Sequence, residues 1–392
     1  MRAIALKEFL QLRRDRRTVA MLFILPFLFL VIFGYAASFD VKEIPTLVVG
    51  DSAHLVESQL PKQFDVVDVR TGDDRAAAED ALRRGEAVAA FVMPAVALDE
   101  DTAAGSAAVL VDGSELFAAQ AALRRVAMAQ TAADRLMESG LPKGGSAGAM
   151  VKALEIMRAT KVEVLFNPDL RTAVVMVPGL CGIILVFVGT IATALGVVRE
   201  RQAGTMEQLA VMPFHPRDVF LGKIAPYLTI AAFDMAFIVV VGMLIFDVPF
   251  RGSVATFALG SALFLFVTLG VGVLISTVSQ TQGQAIQLAI LFMVPQFLLS
   301  GLFFPLYAMP WAVRWIGYCL PLTWFVKIAR GVMVRGAPIG ALWLPLTILA
   351  VMGAAVFTFS VLRFRRDLAP AAGKGDDGVA IAATGDEAGA TA

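Results

Sequence analysis

The chain has 392 residues, of which 58% are hydrophobic and 17% charged, and its mean hydropathy is +0.75. A soluble domain usually carries about 25% charged residues, so this composition excludes an ordinary soluble protein and indicates several membrane spans. The net charge is zero, but acidic and basic residues are unevenly distributed along the chain. Residues 40–171 carry 21 acidic and 14 basic side chains, and the remainder carries 12 acidic and 19 basic ones. We therefore predict one mildly acidic soluble domain within a basic membrane protein.

A basic segment, residues 1–17, opens the chain, and 22 uncharged residues follow it from Thr18 to Phe39. Because cytoplasmic flanks are enriched in Lys and Arg, residues 18–39 are predicted to form the first transmembrane helix, running from inside to outside. A cleaved signal peptide is the competing interpretation, since small residues occur at Ala36 and Ser38. The apolar stretch exceeds the roughly 7–15 residues of a signal peptide's core, which favours an uncleaved anchor.

Residues 40–171 have the pattern of an extracytoplasmic α/β domain. Four short β-rich runs alternate with helical stretches such as Asp74–Arg84 and Leu116–Glu138. The four predicted strands are Thr46–Val49, Phe64–Val69, Ala87–Val92 and Ala108–Val111. With 132 residues, the domain is large enough to hold its own core. A Gly/Ser patch at Gly144–Gly148 is predicted to be a loop.

The membrane part resumes at residue 172 and is predicted to contain five helices up to residue 366. A bilayer crossing needs about 20 apolar residues. The predicted spans are Ala173–Val198, Pro226–Phe246, Val254–Val278, Ala285–Leu306 and Leu342–Leu362. The fold class is thus a polytopic α-helical membrane protein, with six transmembrane helices and the α/β domain inserted between helices 1 and 2. Both termini are predicted to be cytoplasmic, and the tail, residues 367–392, to be disordered.

Four basic residues conflict with the usual charge bias, because Arg314, Lys327, Arg330 and Arg335 fall on the predicted outer side. A seventh span would change the sidedness, but only 12 uncharged residues separate Arg314 from Lys327. That is too short to cross a bilayer. We therefore predict that residues 307–341 form interfacial or re-entrant helices. The expected anchors at the headgroup level are Trp311, Trp315, Tyr318 and Trp324.

The polar segment 199–223 between the second and third spans reads RERQAGTMEQLAVMPFHPRDVFLGK. Thr205 followed by Gln208 is a capping-box pattern, which predicts a helix beginning at Met206. Pro213 disfavours helical geometry at Met212 and so ends this helix after about two turns. A short amphipathic helix at a membrane face can dock a partner, although an ordinary solvated loop explains the same residues.

Several separated motifs resemble those of the ABC type-2 permease family, the membrane subunits of ATP-binding-cassette exporters. They are RERQAGTMEQLAVMPFHP followed by GK, DGSELFAAQAAL, FNPDLRTAVVMVPGL, LLSGLFFP and MPWAVRWIGYCLPLTWFVKIARG. The resemblance extends from the first span to about Arg366. It favours the subgroup with a large outer domain after the first span, which is often associated with multidrug efflux.

The resemblance implies that the inner loop is a coupling helix seated in a groove of a cytoplasmic ABC ATPase subunit. The positions that match this motif are Arg199, Glu200, Gly204, Thr205, Glu207, Leu209, Pro213, Gly222 and Lys223. Gln202 stands where the family more often has an acidic residue. Further implied partners are a second permease copy or a paralogue, giving a homodimer or a heterodimer, together with membrane lipids and a candidate periplasmic adaptor. No nucleic acid is expected.

No phosphate-binding G-x-x-x-x-G-K-[ST] stretch occurs in the sequence, because Gly222–Lys223 is followed by Ile224. ATP and Mg²⁺ are therefore expected on the partner ATPase, and this chain is predicted to bind no cofactor and to be no enzyme. The two cysteines, Cys181 and Cys319, are isolated and are expected to be packed residues. His54 and His215 are equally isolated, so we predict no metal site.

Asp234 is the only acidic residue within a predicted span. An intramembrane carboxylate costs roughly 2.5–3.5 kcal/mol at a helix centre and is a functional candidate by default. A structural partner across helices is one interpretation and proton coupling is another. The glycines of the second and fourth spans permit close helix approach, either within the subunit or at a dimer interface. They are Gly182, Gly189, Gly196, Gly270 and Gly272.

The predicted function is thus that of an exporter's permease subunit, which moves a drug-like or lipid-like substrate outward across the bacterial inner membrane. The alternative is a membrane-anchored extracytoplasmic sensor or assembly factor without transport activity, but such a protein needs only one or two spans. A secondary transporter usually shows an internal repeat or several intramembrane charges. This chain shows one carboxylate and no repeat.

Overall fold

The computed structural model describes residues 43–50, 53, 60, 64–72, 74–93, 107–138, 160–203 and 216–368. The predicted first span (18–39), the Gly/Ser patch and the tail from residue 369 lie outside the described residues. Helix α9, defined below, ends at Leu368, so residues 367 and 368 continue the last helix instead of belonging to a disordered tail.

The N-terminal part of the described chain forms a five-stranded sheet in the order β2-β1-β3-β4-β5. The strands are β1 (Ile44–Val49), β2 (Phe64–Arg70), β3 (Ala89–Val92), β4 (Ala108–Asp112) and β5 (Lys161–Leu165). Only the step from β3 to β4 is antiparallel; the other neighbouring pairs are parallel. The fifth strand was not predicted. Its sequence KVEVL alternates too briefly to stand out from its polar surroundings.

Two helices complete this α/β domain, α1 (Arg75–Arg84) and α2 (Leu116–Glu138). The side chain of Asp74 caps α1 by accepting hydrogen bonds from two backbone N–H groups of the first turn. Gly85 ends α1 in the left-handed conformation at φ 75°, which glycine adopts without steric cost. The alanine-rich face of α2 and the buried residues of β3 and β4 form one hydrophobic cluster of the domain.

Five of the described helices are long and apolar enough to cross a bilayer. They lie in α3 (Thr172–Gln202), α4 (Pro216–Phe246), α5 (Val254–Val278), α6 (Gln282–Leu299) and α9 (Trp343–Leu368). The span predicted to reach Leu306 ends at Leu299. Gly301, at φ 81°, adopts a left-handed conformation that interrupts the helix. The α-helical membrane class is therefore confirmed, with five candidate spans among the described residues.

Several glycines of the spans pack against other helices of the same chain. A Cβ at Gly272 on α5 would lie 2.8 Å from the carbonyl oxygen of Thr190 on α3, and one at Gly189 would contact Leu269. A Cβ at Gly196 would meet the hydroxyl of Tyr227 on α4. At these positions the absent side chains allow helices of one subunit to approach closely. The dimer interface is therefore not needed to explain them.

Residues 306–342 form short elements that cannot cross a bilayer. They are a 3-10 turn (Leu306–Ala308), α7 (Trp311–Tyr318), α8 (Pro321–Arg330), a π-helical turn (Gly331–Arg335) and a second 3-10 turn (Ile339–Leu342). We call residues 306–342 the short-helix segment. Cys319, which follows α7, is exposed, so the expectation that both cysteines are packed holds only for Cys181. The turn between α7 and α8 leaves Cys319 at the surface.

The two helices of this segment differ in their surroundings. On α7, Trp311 and Trp315 are exposed, as expected for aromatic anchors at a membrane interface. Helix α8 is buried at every position except Lys327. Phe325 of α8 stacks on Phe264 of α5 with ring centroids 4.4 Å apart. Trp324 is therefore not an interfacial anchor, because α8 lies within the helix bundle and buries that ring against it.

A buried helix end needs partners for its backbone N–H groups. Gln296 of α6 supplies one, because its Oε1 accepts a hydrogen bond from the backbone N–H of Leu322 at 3.1 Å. The hydroxyl of Thr323 donates to the carbonyl of Gly317 at 2.6 Å. These bonds hold the amino end of α8 inside the bundle.

Candidate coupling site and domain junction

The last turn of α3 forms the start of the predicted coupling loop. Arg199 and Glu200 are exposed there. Arg201 donates to the carbonyl of Ser279 at 3.1 Å, and the amide of Gln282 donates to the side-chain oxygen of Gln202 at 2.8 Å. The end of α3 is thus joined to the turn between α5 and α6. Arg201 and Gln282 were not among the predicted site residues, since bonds between distant segments leave no local sequence pattern.

Gly204, Thr205, Glu207, Leu209 and Pro213 lie outside the described residues, as does the predicted helix beginning at Met206. Gly222 and Lys223 lie on α4, which begins at Pro216. Gly222 is exposed, and a Cβ placed there would have no heavy atom within 4 Å. No close packing of the described structure therefore requires glycine at position 222.

Helices α3 and α4 are both longer than a bilayer crossing requires. Each has 31 residues. At 1.5 Å per residue, each spans about 46 Å, compared with about 30 Å for the hydrocarbon core. The charged last turn of α3 therefore has room to extend beyond the apolar part of the bundle, where a soluble partner can reach it.

Asp234 lies on α4 and its side chain is partly buried. Within the part of the chain that the structure describes, no hydrogen bond or ion pair is found for its carboxylate. The predicted structural partner across helices therefore stays a prediction, and the role of Asp234 remains that of a candidate.

At the opposite end of the bundle, Arg330 joins three parts of the chain. Its guanidinium contacts the carboxylate of Glu115 in the α/β domain at 3.3 Å. It also donates to the carbonyls of Gly301, at 3.4 Å, and Leu302, at 2.9 Å, just after the end of α6. The Arg330 side chain is only 5% exposed, so these bonds form in a low-dielectric environment. One residue of α8 therefore holds both the domain and the end of a span.

A second ion pair lies beside the first. Arg335, in the π-helical turn, contacts the carboxylate of Asp112 at 3.3 Å, and Asp112 is fully buried at the end of β4. The other carboxylate oxygen of Asp112 accepts a hydrogen bond from the backbone N–H of Ser114 at 2.8 Å. The Arg335 guanidinium also covers Gly85, where a Cβ would lie 2.7 Å from Nη1. We call Asp112, Glu115, Arg330 and Arg335 the domain junction.

The connection from β5 to α3 passes through the same region. Asn167 is buried, and its side-chain amide donates to the carbonyl of Gly113 at 3.2 Å. Its Oδ1 accepts from the backbone N–H of Arg171 at 3.0 Å. A Cβ at Gly113 would lie 2.8 Å from the carbonyl oxygen of Asn167, so this approach requires glycine. The turn after β4 and the start of α3 are therefore fixed to each other.

Tyr307 lies near the carboxylates of the junction. Burial raises the pKa of its hydroxyl well above the ordinary value of 10.0, and the charges of Glu115 and Asp112 raise it further. The phenol is therefore neutral, and its buried hydroxyl has no hydrogen-bond partner among the described residues.

These contacts explain the basic residues that conflicted with the charge bias. Arg330 and Arg335 face carboxylates of the α/β domain, and Arg314 donates to the carbonyls of Met309 and Tyr307. The amine of Lys327 lies 4.7 Å from the centre of the Trp324 ring, in cation–π contact. The charge-bias rule concerns flanking charges that interact with the membrane and its surroundings, whereas these cations have partners within the chain.

Within the described residues, no three His, Cys, Asp or Glu side chains lie together in a way that could hold a metal ion. The described polar side chains at the two ends of the bundle form ion pairs and amide hydrogen bonds.

The chain has five apolar helices among its described residues, a polar loop between two long helices, and an α/β domain fixed to the other end of the bundle. These features define a multi-pass membrane protein of the transporter class. The sequence matches the family described as "ABC-2 family transporter protein" over residues 16–362. The chain belongs to this family. It is a transmembrane permease subunit of an ABC exporter, a non-catalytic subunit whose ATPase is a separate partner.

Similar proteins of Escherichia coli (strain K12) are also named as permeases. The chain is 27% identical to the "Probable multidrug ABC transporter permease YbhS" over 354 residues, 86% of this chain and 88% of that protein. It is 32% identical to the "Probable multidrug ABC transporter permease YbhR" over 201 residues, 51% and 55% of the two chains. It is 34% identical to the "Inner membrane transport permease YhhJ" over 206 residues, 52% and 54% of the two chains. The predicted family is confirmed, and the alternative of a sensor or assembly factor is set aside.

Proposed function

We propose that this permease moves a drug-like or lipid-like substrate outward across the cytoplasmic, inner membrane. The names of the similar proteins, two of them "multidrug" and one "inner membrane", support this substrate class and location. The largely apolar interior of the helix bundle suits amphipathic molecules.

The proposed topology has six spans, with the α/β domain outside and both termini in the cytoplasm. The ion pairs of the domain junction support this arrangement, because they require the domain and the short-helix segment to lie at one end of the bundle. Four spans, α3 to α6, separate the domain from that segment, and an even number of crossings returns the chain to the same side. The basic flank before the first span favours a cytoplasmic N-terminus, which puts the domain outside. The loop end, opposite the domain, then faces the cytoplasm.

The ATPase subunit is proposed to dock on residues 199–223. One observation carries this proposal: α3 and α4, each longer than the hydrocarbon core, present this polar loop at the end of the bundle away from the domain. A second permease copy or a paralogue would complete the pathway, with a periplasmic adaptor and membrane lipids as further partners. ATP and Mg²⁺ act on the ATPase.

In the proposed mechanism, the loop makes different contacts with the ATPase in its ATP-bound and ATP-free states. Only such a difference can shift the permease between two conformations. Helix α3 runs from the domain junction to the loop, and its end is bonded to the α5–α6 turn through Arg201. Displacement of the loop would therefore act on α3 and on the α5–α6 pair together.

The test is Glu207→Lys in a reconstituted complex with the partner ATPase. In the predicted helix starting at Met206, a first-turn carboxylate favours the helix dipole by roughly 0.3–1 kcal/mol, and a lysine opposes it. This change is too small to unfold the membrane helices but can shift a docking equilibrium. We expect normal abundance, loss of export and loss of substrate-stimulated ATPase activity. Thr205→Ala, which removes a cap worth about 1 kcal/mol, should give a milder defect.

The matched control is Glu138→Lys, the same charge reversal at an exposed residue at the end of α2. This variant should transport like the parent. If Glu207→Lys also transports like the parent at equal abundance, then the loop is an ordinary connector and the docking proposal is wrong.

A further inference from the structure

We infer that Arg330 and Arg335 are positioning residues that make the α/β domain and the short-helix segment one moving part, through which the domain takes part in the transport cycle. This inference rests on the proposed export function and deepens it, because it assigns a role to the domain that the docking loop does not explain.

Arg330 connects the domain to the helix bundle. Its guanidinium holds Glu115, immediately before α2, and two carbonyls just after α6. Movement of α8 must therefore carry the domain and the end of α6 with it, or break bonds to a buried cation. Removing one partner of a buried cation is strongly destabilising, so these bonds resist separation.

The contacts of the domain junction are buried ion pairs. A buried ion pair is often no more stabilising than apolar residues of the same size, but it has a fixed geometry. Asp112 is fully buried and bonded both to Arg335 and to the backbone at Ser114, so its carboxylate has little freedom to turn. Two such pairs side by side fix the orientation of the domain as well as its distance from α8.

Helix α8 also contacts the spans of the bundle. A Cβ at Gly182 on α3 would lie 2.5 Å from Leu322 of α8, and one at Gly260 on α5 would lie 2.8 Å from Ile328 of α8. Helix α8 is thus packed directly on two spans. The connection between α4 and α5 is also bonded to the short-helix segment, because Arg251 donates to the carbonyls of Met333 and Val334 in the π-helical turn.

These contacts form one contiguous route. The domain is bonded to Arg330 of α8, α8 is packed on α3, and α3 ends in the loop proposed to dock the ATPase. Three of the motifs on which the family resemblance was based meet at this place: DGSELF, FNPDLR and WFVKIARG. A domain that was merely tethered would need only its two chain connections.

The test uses a triple variant that removes three of the four charges of the domain junction and leaves Arg330 with its hydrogen bonds but without a carboxylate partner. Asp112→Asn keeps an oxygen for the Ser114 N–H, Arg335→Met keeps an apolar stem, and Glu115→Gln keeps an acceptor for Arg330. Arg330 itself is retained because it also bonds the carbonyls after α6. The matched control is Arg70→Met with Glu86→Gln, which removes an exposed ion pair of the same domain with atoms 2.7 Å apart.

The first measurement is thermal unfolding of the full chain followed by two signals. The four tryptophans of the chain are Trp311, Trp315, Trp324 and Trp343. Tryptophan fluorescence therefore reports the short-helix segment and the start of α9, whereas a fluorophore on a cysteine replacing Glu79, in a background without native cysteines, reports α1 of the domain. In the parent and the control the two transitions should coincide. In the triple variant they should separate.

The second measurement is ATPase activity of the reconstituted complex with and without a transported drug. The triple variant should keep the basal ATPase rate, since the loop end is unchanged. The stimulation of ATPase activity by the drug should fall by about threefold or more. If the triple variant fails to fold, Glu115→Gln alone, which keeps the hydrogen bond to Arg330, should show the same direction with a smaller loss.

The inference is overturned if the transitions stay coincident in the triple variant, or if they separate while substrate stimulation and export equal those of the parent. These outcomes are distinct from failure of the docking proposal. That failure appears as normal transport by Glu207→Lys, and it leaves the unfolding result of the junction variant unaffected.

Discussion

The two ends of the helix bundle use charge in different ways. At the domain end, Arg330 and Arg335 are buried and pair with carboxylates of the same chain. At the loop end, Arg199 is exposed on the last turn of α3. A buried charge must be satisfied by the protein itself, whereas an exposed one is available to a partner. The comparison shows that ion pairs within the chain hold the domain end together, and it supports the proposal that the loop end docks the ATPase.

The largest effect is expected from Arg335→Met alone, which removes one of the two ion pairs at the domain end. The substitution leaves Asp112 fully buried without its cation, and breaking such a pair costs about 3–5 kcal/mol. The thermal unfolding midpoint of the purified chain should fall by several degrees. Arg199→Met at the loop end should leave it nearly unchanged. Equal effects of the two substitutions would contradict the proposed difference between the ends.

A smaller effect is expected from two matched glycine substitutions. In Gly272→Ala the new Cβ would lie 2.8 Å from a backbone oxygen of α3, and overpacking of this kind costs about 1–3 kcal/mol. In Gly222→Ala the space is open, and alanine favours an exposed helix by about 1 kcal/mol. The unfolding midpoint should therefore fall for Gly272→Ala and hold or rise for Gly222→Ala. A loss of transport in the stable Gly222→Ala variant would then indicate contact with the ATPase.

The smallest effect concerns an exposed ion pair of the domain. The guanidinium of Arg75, which hydrogen-bonds Glu163, holds the pKa of that carboxyl below its ordinary value of 4.5. A lowered folded-state pKa contributes stability above pH 4.5, and this stability is lost as the pH falls through the lowered value. Both side chains are more than a third exposed, so the contribution is at most about 1 kcal/mol.

The parent and Glu163→Gln should therefore differ slightly in unfolding midpoint at pH 7, and the difference should vanish in acid. A difference that grows as the pH falls would have the wrong sign. Such a result would show that Glu163 is not stabilised by Arg75 in the folded protein.

Local patterns were sufficient to predict most of the helices. The span Val254–Val278 was predicted with the observed bounds, because uncharged apolar length is a property of the segment itself. The break at Gly301 was missed, since a left-handed glycine inside an apolar run is not marked by polarity. Trp324 was assigned to the membrane interface from its residue type, but burial of α8 is decided by its packing on α3 and α5.

The site was predicted less completely. The motif of the loop was recognised, but its bonds to Ser279 and Gln282 join residues about 80 positions apart and leave no pattern along the sequence. The same holds for the junction, where Asp112 and Arg335 are 223 positions apart. The conflict of Arg330 and Arg335 with the charge bias was the one available signal. It indicated that these residues had partners, without indicating which ones.

The sheet order has a consequence for protein engineering. The chain enters β1 at Ile44 and leaves β5 at Leu165, and the strand register places both points at the end of the sheet that carries Asp112. Three strand spacings separate them, about 14 Å, which a linker of about five residues can bridge. The whole domain could thus be excised from the permease and replaced by a short loop. Such a minimal permease would also need Arg330 and Arg335 replaced, since excision would remove the carboxylates that neutralise them.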